Sequence, residues 1–340
     1  MFRIGGIEIP SRVLQAPMVA CTDLPFRLLA REHGLGLAFA EMVSAQALSR
    51  ENLKTLGILK TAPEDRPLGA QILGCDPELA ARAARRIEEL GFDLIDINLG
   101  CPVRKVVSNG EGAALLKEPG KAARIFESVR KAVSIPVTVK TRAGFDDPSG
   151  EEAAAVARAA QDCGLSAVSV HGRTQKQGYS GKADYAAVAR VKAAVKIPVI
   201  GNGDVFSPQA ALDLMRISGC DAVMLARGTL GNPWLYRNVE RAISGSKEPP
   251  ALPSIKERES ALLRHFELEV RFQPERDAAL NMRRIAVWYT QGLPGNKKVR
   301  AAICQTMDLP AIRGLIEDYF AGLPRDVPPP AAPILLHGEG

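Results

Sequence analysis

The sequence predicts an α/β protein, a (β/α)8 TIM barrel followed by a small all-helical domain. Three observations predict this fold: eight short apolar runs, helical patterns between them, and the loss of the strand signal after the eighth run. Continuous apolar runs of this length are typical of strands buried on both faces, as in a parallel sheet. The runs cover residues 13–19, 37–43, 67–73, 94–100, 136–142, 167–173, 198–203 and 222–228.

Amphipathic helices are predicted between the strands from their caps and from the spacing of apolar residues. Asp76 and Pro77 begin one helix as N-cap and first helical residue, and Gly91 ends it. Ser207 and Pro208 begin another helix in the same way. Eight alternations favour a closed barrel over an open doubly wound sheet, which usually has fewer strands and a glycine-rich fingerprint. The other predicted barrel helices cover residues 120–133, 150–164 and 183–195.

The order of these patterns divides the chain into four segments. Residues 1–244 are predicted to form the barrel domain, and the proline-containing stretch 245–254 is predicted to be a linker. A helical domain is predicted over residues 255–322, and the five prolines of residues 323–340 predict a disordered tail. Within the helical domain, the predicted helices cover residues 255–273, 276–291 and 310–322.

Composition and charge exclude several classes of protein. Hydrophobic residues make up 46% of the 340 residues and charged residues 24%, so we expect neither wholesale disorder nor a coiled coil. The apolar runs are shorter than the roughly 18 residues that span a bilayer, and the N-terminal residues lack a secretory signal. We therefore expect a cytoplasmic protein without a membrane partner. The net charge of +6 is compatible with a nucleic-acid partner but does not establish one.

The six cysteines give no sign of a metal site or a disulfide scaffold. No CxxC motif and no Cys/His ligand spacing occurs in the chain. A convincing set of histidine and carboxylate ligands is also missing, which disfavours a metal-dependent barrel hydrolase. We therefore expect reduced thiols and no bound metal.

Seven of the eight predicted strands end in polar or glycine-rich residues. Since active sites of TIM barrels lie at the C-terminal ends of the strands, we expect these residues around one mouth. Gln71 or His171 could have a structural role instead, but a lysine such as Lys140 is unusual within a barrel strand unless it meets a polar ligand. Cys101, in a Gly-Cys-Pro turn after the fourth strand, is expected at the same mouth. The strand ends carry Met18, Gln71, Asn98, Lys140 and Arg142, His171 and Arg173, Asn202-Gly203-Asp204, and Ala226-Arg227.

The last two strand ends predict a phosphate site. GNGD (201–204) and ARG (226–228) follow strands seven and eight, where the loops of these barrels commonly bind phosphate through backbone N–H groups. Gln71 can bond the pyrimidine edge of an isoalloxazine ring as donor and acceptor. Lys140 can stabilise the negative charge that a reduced flavin carries near N1. These residues together predict flavin mononucleotide (FMN) as the cofactor.

The predicted helical domain contains a concentration of positive charge. Between residues 276 and 300, six basic residues are accompanied by one acid, Asp277, which gives this segment a net charge of +5. These charges could lie on an ordinary solvated helix face. They could also bind an RNA backbone, in which case the affinity falls as the salt concentration rises. The basic residues are Arg276, Arg283, Arg284, Lys297, Lys298 and Arg300.

The order and combination of motifs resemble those of the tRNA-dihydrouridine synthases, particularly the bacterial B-type members. The similarity covers residues 3–320 and leaves only the tail unmatched. The motifs that carry it are APM (16–18), DINLGCP (96–102), RKVVSNGEGAALL (104–116), KTR (140–142), VHGRT (170–174), GNGD (201–204), ARG (226–228) and RRIAVWY (283–289).

The resemblance implies reduction of the C5–C6 double bond of specific uridines in tRNA, with NADPH as the reductant of the flavin. It implies Cys101 as the proton donor and Asn98, His171 and Arg173 near the target uracil. No protein partner is implied. The tRNA contacts would come from Arg283, Arg284, Lys297, Lys298 and Arg300. The FMN contacts would come from Pro17, Met18, Val19, Gln71, Lys140, His171, Asn202, Gly203, Asp204, Ala226 and Arg227.

Two other functions stay open on the sequence. An FMN barrel similar to dihydroorotate dehydrogenase, acting on a free pyrimidine, would share the ring-binding residues and the cysteine but would not need a basic helical domain. A non-catalytic RNA-binding barrel would have no use for Lys140, His171 or Cys101. Such a protein would also be colourless, whereas a flavoprotein is yellow.

Overall fold

The computed structural model describes residues 2–250 and 252–324 and confirms the predicted TIM barrel with a helical region after it. Eight positions around the barrel are filled by parallel strands, one of them shared by two short strands. The strands are β1 (Phe2–Ile4), β2 (Ile7–Ile9), β3 (Val13–Gln15), β4 (Ala38–Phe39), β5 (Val43–Ser44), β6 (Leu68–Leu73), β7 (Leu94–Leu99), β8 (Val137–Arg142), β9 (Ala167–His171), β10 (Val199–Asn202) and β11 (Ala222–Leu225).

The barrel closes between its first strand and its last. The strand order β3-β11-β10-β9-β8-β7-β6-β4 is parallel throughout, and a parallel bridge from Leu14 to Leu37 joins β3 to the segment before β4. The predicted second strand is interrupted, because β4 and β5 pair separately with β6. The first predicted strand is shorter than expected and ends at Gln15. Residues 16–19 therefore form a loop at the barrel mouth.

The predicted helices are present within one or two residues of their expected ends, and others were missed. Asp23 caps the first missed helix and Pro25 follows in its first turn, so the sequence did carry a signal for it. The helices are α1 (Leu24–Glu32), α2 (Ala45–Leu48), α3 (Leu53–Ile58), α4 (Pro77–Glu89), α5 (Arg104–Ser108), α6 (Pro119–Ala132), α7 (Glu151–Asp162), α8 (Tyr185–Ala194), α9 (Pro208–Ser218), α10 (Trp234–Ile243), α11 (Ile255–Phe272), α12 (Glu275–Thr290), α13 (Asn296–Cys304) and α14 (Leu309–Ala321).

The antiparallel hairpin β1–β2 covers the end of the barrel opposite the mouth. Phe2, Ile4 and Ile9 are buried in one cluster with apolar side chains of the barrel interior. The turn of the hairpin lies against the start of β8: a Cβ on Gly5 would come within 2.9 Å of the Pro136 side chain. Gly5 also has a φ of +58°, so both the space and the backbone conformation favour glycine. The hairpin was not predicted from the sequence.

Helices α11 to α14 form a core of their own that extends onto α1 of the barrel. The rings of Trp288 and Phe26 pack edge to face at a centroid distance of 6.3 Å. Leu24, Phe26 and Leu29 belong to the same apolar cluster as the helical residues. Ser254 begins α11 with a capping box that Glu257 completes. The helical region is therefore packed against one side of the barrel through α1.

The ends of the predicted segments are only partly visible. Between α10 and α11, the described residues of the predicted linker 245–254 form no helix or strand. Most of the predicted tail lies outside the described residues, which end at Pro324. Among the described helices, none combines the length and the apolar composition that crossing a bilayer requires. The exact domain boundaries stay predictions.

Candidate active site

A cavity of about 390 Å³ lies at the C-terminal ends of the barrel strands. This volume falls within the roughly 300–1,000 Å³ of small-molecule and cofactor sites. Cys101 and Asn98 line the cavity, and so does every residue that was predicted to bind the cofactor. Arg173 and the basic residues of the helical region do not line it. Residues from seven separate strand ends thus meet around one space.

A chain of buried hydrogen bonds leads from the centre of the barrel to the cysteine turn. Gln71 donates to the carboxylate of Asp96 over 2.7 Å, and Asn98 donates to the side-chain oxygen of Gln71 over 2.7 Å. The side-chain oxygen of Asn98 accepts from the backbone N–H groups of Gly100 at 3.0 Å and Cys101 at 2.9 Å. Because β6 and β7 pair side by side, the parallel register brings Gln71 opposite Asp96.

The thiol of Cys101 is buried at the cavity wall, and its residue is 8% exposed. Burial raises the pKa of this thiol, so it is protonated at neutral pH. The turn is held from the other side by Arg142, whose Nε donates to the carbonyl of Gly100 over 2.8 Å. Gly112 packs on the same turn at a φ of +58°, where a Cβ would lie 2.9 Å from the Cys101 carbonyl oxygen.

Lys140 contributes the ammonium group of a half-buried side chain to the cavity. Its Nζ donates to Asn202 over 3.4 Å, the one hydrogen bond that this ammonium makes among the described residues. Asn202 is fixed in turn by a 2.7 Å bond from its amide to the carbonyl of Met224. Burial, helped by the charge of Arg142, lowers the pKa of Lys140 to about 8. Its remaining N–H groups are therefore available to a ligand that accepts hydrogen bonds.

The carboxylate of Asp204 lines the cavity and is hydrogen-bonded within the protein. Arg173 donates to both of its oxygens, over 2.8 and 2.7 Å, and Arg227 lies 3.5 Å away. Arg173 also comes within 3.3 Å of Nε2 of His171. Burial and the surrounding cations, first Arg142, hold the pKa of His171 well below its usual value, so its ring is neutral. Arg173 thus lies behind the wall that His171 and Arg227 form.

Arg142 and Tyr179 line the cavity although the sequence predicted no role for them. Arg142 was noticed only as a strand end, yet it joins the cysteine turn to the loop after β9 by donating to the carbonyls of Thr174 and Gly178. The guanidinium groups of Arg227 and Arg142 lie 4.6 and 5.7 Å from the ring centroid of Tyr179, whose residue is 53% exposed. Tyr179 lies in a loop, where no periodic pattern could have marked it.

The comparison with known families decides the identity. A sequence model described as "Dihydrouridine synthase (Dus)" matches residues 14–313. The chain belongs to the dihydrouridine synthase family. It is 40% identical over 96% of its length to "tRNA-dihydrouridine synthase B" of Xanthomonas campestris, of which it covers 98%. It is 38% identical over 95% of its length to "Probable tRNA-dihydrouridine synthase" of Rickettsia bellii, of which it covers 99%. The predicted family and the prediction of an oxidoreductase are confirmed.

Solved structures of other proteins share the barrel fold of this chain, although their sequence identity to it is low. Histamine dehydrogenase from Rhizobium sp. 4-9 matches 78% of the chain with a TM-score of 0.57 at 15% identity. A 2-naphthoyl-CoA reductase complex matches 72% of the chain with a TM-score of 0.56 at 13% identity. The chain spans about half the length of these proteins, 50% and 51%. The likeness supports the barrel fold alone.

The basic residues of the helical region separate into a hydrogen-bonded group and an exposed group. Three of them hydrogen-bond within the helical region: Arg283 to the carbonyl of Thr306, Arg284 to Asn281, and Arg300 to Thr290 and the carbonyl of Val287. The other three, Arg276, Lys297 and Lys298, are exposed. The predicted cluster is therefore partly structural, and its two exposed lysines stand side by side at the start of α13.

Proposed function

We propose that this enzyme reduces the C5–C6 double bond of uridines in tRNA to 5,6-dihydrouridine, with FMN as cofactor and NADPH as its reductant. The observation that carries the proposal is the convergence of Cys101, Lys140, His171 and the two predicted phosphate loops on one cavity. Membership in the dihydrouridine synthase family and the names of the relatives support the substrate. NADPH rests on the resemblance of the motifs. A tRNA substrate implies action in the cytoplasm.

The charges and donors of the cavity fit FMN. Lys140, Arg142 and Arg227 bring positive charge to its lining, and Asp204 is neutralised by Arg173 and Arg227. This excess of positive charge favours binding of the phosphate of a nucleotide. The N–H groups of Lys140 that have no partner favour a ring edge rich in hydrogen-bond acceptors. Pro17, Met18 and Val19 would contact the ring, and Gly203 and Ala226 would stand near the phosphate. Bound FMN would supply the hydride for the reduction.

Cys101 has the protonation state that a proton donor needs. When C6 of the uracil receives hydride, the electron pair of the C5–C6 double bond takes the thiol proton at C5, and the sulfur is left as a thiolate that solvent reprotonates. The raised pKa keeps the proton in place at neutral pH until that step. Because Asn98 and Arg142 hold the Cys101 turn from both sides, the thiol is positioned before the substrate arrives.

The neutral ring of His171 can donate near the same wall, where Asn98 also lies with its amide N–H groups bonded to Gln71 and Met42. Negative charge develops towards O4 of the uracil as hydride arrives at C6, and hydrogen-bond donors placed there stabilise it. Arg173 would act through its bonds to Asp204 and its contact with His171, as a positioning residue. A uridine in a folded RNA has to be turned out of its stack to reach the cavity. Lys297 and Lys298 are the exposed residues best suited to hold the RNA backbone while this occurs.

The test is a map of dihydrouridine, site by site, in RNA from cells with and without the gene, joined to an assay of the purified protein. The proposal expects a yellow protein and the loss of dihydrouridine at defined tRNA positions when the gene is deleted. A yellow protein that reduces a free pyrimidine and leaves tRNA unchanged would support the dihydroorotate-dehydrogenase-like alternative. A colourless protein that cannot be reconstituted with FMN would support a non-catalytic RNA-binding barrel.

A further inference from the structure

A second polar cluster lies away from the active-site cavity, where the barrel meets the helical region. Asp23, at the start of α1, faces His265 and Glu269, which lie one turn apart on α11. One ligand-capable atom from each of the three side chains lies within 4.8 Å of the others. Asp23 also lines a cleft of about 230 Å³ between the two regions. None of these three residues lines the active-site cavity.

Each of the three side chains is held by a neighbour through one atom, and His265 and Glu269 each leave another atom without a partner. Nδ1 of His265 lies 3.4 Å from the hydroxyl of Tyr289, and Nε2 has no partner. Oε2 of Glu269 accepts from Asn281 over 3.0 Å, and Oε1 has no partner. Oδ1 of Asp23 caps α1 by accepting from the N–H of Phe26 over 3.1 Å. Oδ2 of Asp23 has long contacts of 3.4 and 3.5 Å to Gln273 and Asn281, and a proton held between the carboxyl groups of Asp23 and Glu269 joins them by a hydrogen bond.

The free atoms point to a missing positive partner. His265 is 1% exposed and Glu269 is 0% exposed, and buried polar atoms of native proteins are nearly always hydrogen-bonded. The unpartnered Nε2 of His265 and Oε1 of Glu269 are 4.0 Å apart. This distance is too long for a hydrogen bond but allows both atoms to contact one positive partner between them. Among the described residues, no lysine or arginine forms an ion pair with Asp23 or Glu269. The nearby guanidinium of Arg284 bonds to Asn281 and lies over the Trp288 ring at 5.4 Å.

We propose that Asp23, His265 and Glu269 bind a divalent transition metal of the Zn²⁺ or Mn²⁺ class. One imidazole and two carboxylates are ligands that these ions accept. Tyr289 and Asn281 orient the imidazole and the Glu269 carboxylate in the way that outer partners orient metal ligands. With bonds of about 2.1 Å, two ligand atoms lie at most about 4.2 Å apart, so the cluster needs to close by only about 0.6 Å. Water from the cleft can complete the coordination.

The position of this metal gives it a structural role. One ligand belongs to the loop that follows β3, five residues after Met18, and two belong to the first helix of the helical region. The ion would therefore link the segment that lines the active-site cavity to the region proposed to hold tRNA. The ligands come from distant parts of the sequence, so neither Cys/His spacing nor any local motif could reveal them. The sequence-based expectation of no metal is replaced by this proposal.

The experiment measures metal binding by the full chain with its flavin in place. The protein is treated with a chelator, and Zn²⁺ and Mn²⁺ are added in separate calorimetric titrations. Wild type is expected to bind one ion per chain, and Glu269→Gln and His265→Ala are expected to lose at least ~100-fold in affinity. His33→Ala is the matched control, because His33 is half-buried and, like His265, has a ring nitrogen without a partner, but it faces no pair of carboxylates. It is expected to bind like wild type.

Two further measurements keep the result unambiguous. Glu269→Gln keeps the size of the side chain, and its far-UV circular dichroism and flavin content report whether it folds. Bound metal is expected to raise the Tm of wild type by at least ~2 °C and to leave the Tm of Glu269→Gln unchanged. A wild type that takes up neither ion, or equal binding by wild type and both variants, overturns the proposal. Uridine reduction is assayed separately, so the failure of this site would not count against the proposed reaction.

Discussion

Polar side chains are arranged differently at the barrel mouth and in the helical region. At the mouth, residues that are far apart in the sequence converge on one cavity, because parallel strands deliver their C-terminal ends to the same side. In the helical region, six basic residues within one short segment diverge, and three of them form hydrogen bonds within that region. Position at a strand end is therefore a stronger guide to function than the density of charge on a helix.

The largest effect is expected from the thiol at the mouth. Cys101→Ala should bind FMN and lose about 10²–10⁴-fold in the rate of uridine reduction, because no acid delivers the proton to C5. Flavin absorbance and single-turnover formation of dihydrouridine measure the two properties. Cys163→Ala is the control, since Cys163 is half-buried at the end of α7, outside the cavity lining. A Cys101→Ala variant as fast as this control would show that another group is the acid.

The next effect concerns the pH dependence of stability. Burial raises the pKa of Asp96 from 3.8 to about 6, so between these pH values the folded protein holds a proton that the unfolded chain has lost. Asp96 therefore lowers the free energy of unfolding by about 2 kcal/mol as the pH rises from 4 to 7. The Asp96→Asn variant has no carboxyl group at this position, so it should not show this fall in the free energy of unfolding.

Urea unfolding of the apo-protein at several pH values tests the Asp96 prediction. The difference in unfolding free energy, Asp96→Asn minus wild type, should increase by about 2 kcal/mol as the pH rises from 4 to 7. Other titrating groups are common to both proteins and cancel in the difference. A difference that stays constant with pH would mean that Asp96 is not protonated in the folded state at pH 4–6.

A smaller effect separates a functional lysine from a structural one. Lys140→Met keeps the length of the side chain and removes its ammonium group, so FMN affinity should fall about 10–100-fold. Fluorescence titration of the apo-protein with FMN measures this change. Lys192→Met is the control, because Lys192 pairs with Asp221 just before β11, at the end of the barrel opposite the mouth. Equal FMN affinities in the two variants would remove Lys140 from the proposed flavin site.

The smallest effects test the division of the basic residues in the helical region. Arg300→Ala should lower the free energy of unfolding by about 1 kcal/mol, because Arg300 bonds to Thr290 and to the carbonyl of Val287. Lys297→Ala with Lys298→Ala should leave Tm unchanged and weaken tRNA binding.

The salt dependence of tRNA binding should become less steep by about 1 per lysine in the double variant. Lys256→Ala, on the exposed side of α11, is the control and should retain the full slope. If the double lysine variant binds tRNA with the salt dependence of wild type, the exposed pair does not contact phosphate.

The sequence was sufficient for the barrel and for most of the cavity wall. Strand periodicity located the strand ends that carry Gln71, Lys140 and His171. Because the strands of a TIM barrel are parallel, these ends lie around the same cavity. The roles of Asp204 and Arg173 needed coordinates, because a carboxylate near a predicted phosphate loop gives no sign that an arginine already occupies it.

Loops and contacts between regions were beyond sequence reasoning. Tyr179 lies in a loop without periodicity, and the hairpin β1–β2 is too short to give a strand pattern. The cluster of Asp23, His265 and Glu269 depends on how α11 packs against α1, which no local spacing encodes. Such features follow from tertiary packing.

The hairpin at the N-terminus has a kinetic consequence. Phe2, Ile4 and Ile9 fill the barrel on the side away from the mouth, so within the described chain they block passage along the axis. A nicotinamide donor and a nucleobase would have to use the same opening, and where both react at the same face of the flavin, the first has to leave before the second binds. Initial rates measured at varied concentrations of both reactants should then give parallel lines in a double-reciprocal plot, as expected of a ping-pong mechanism.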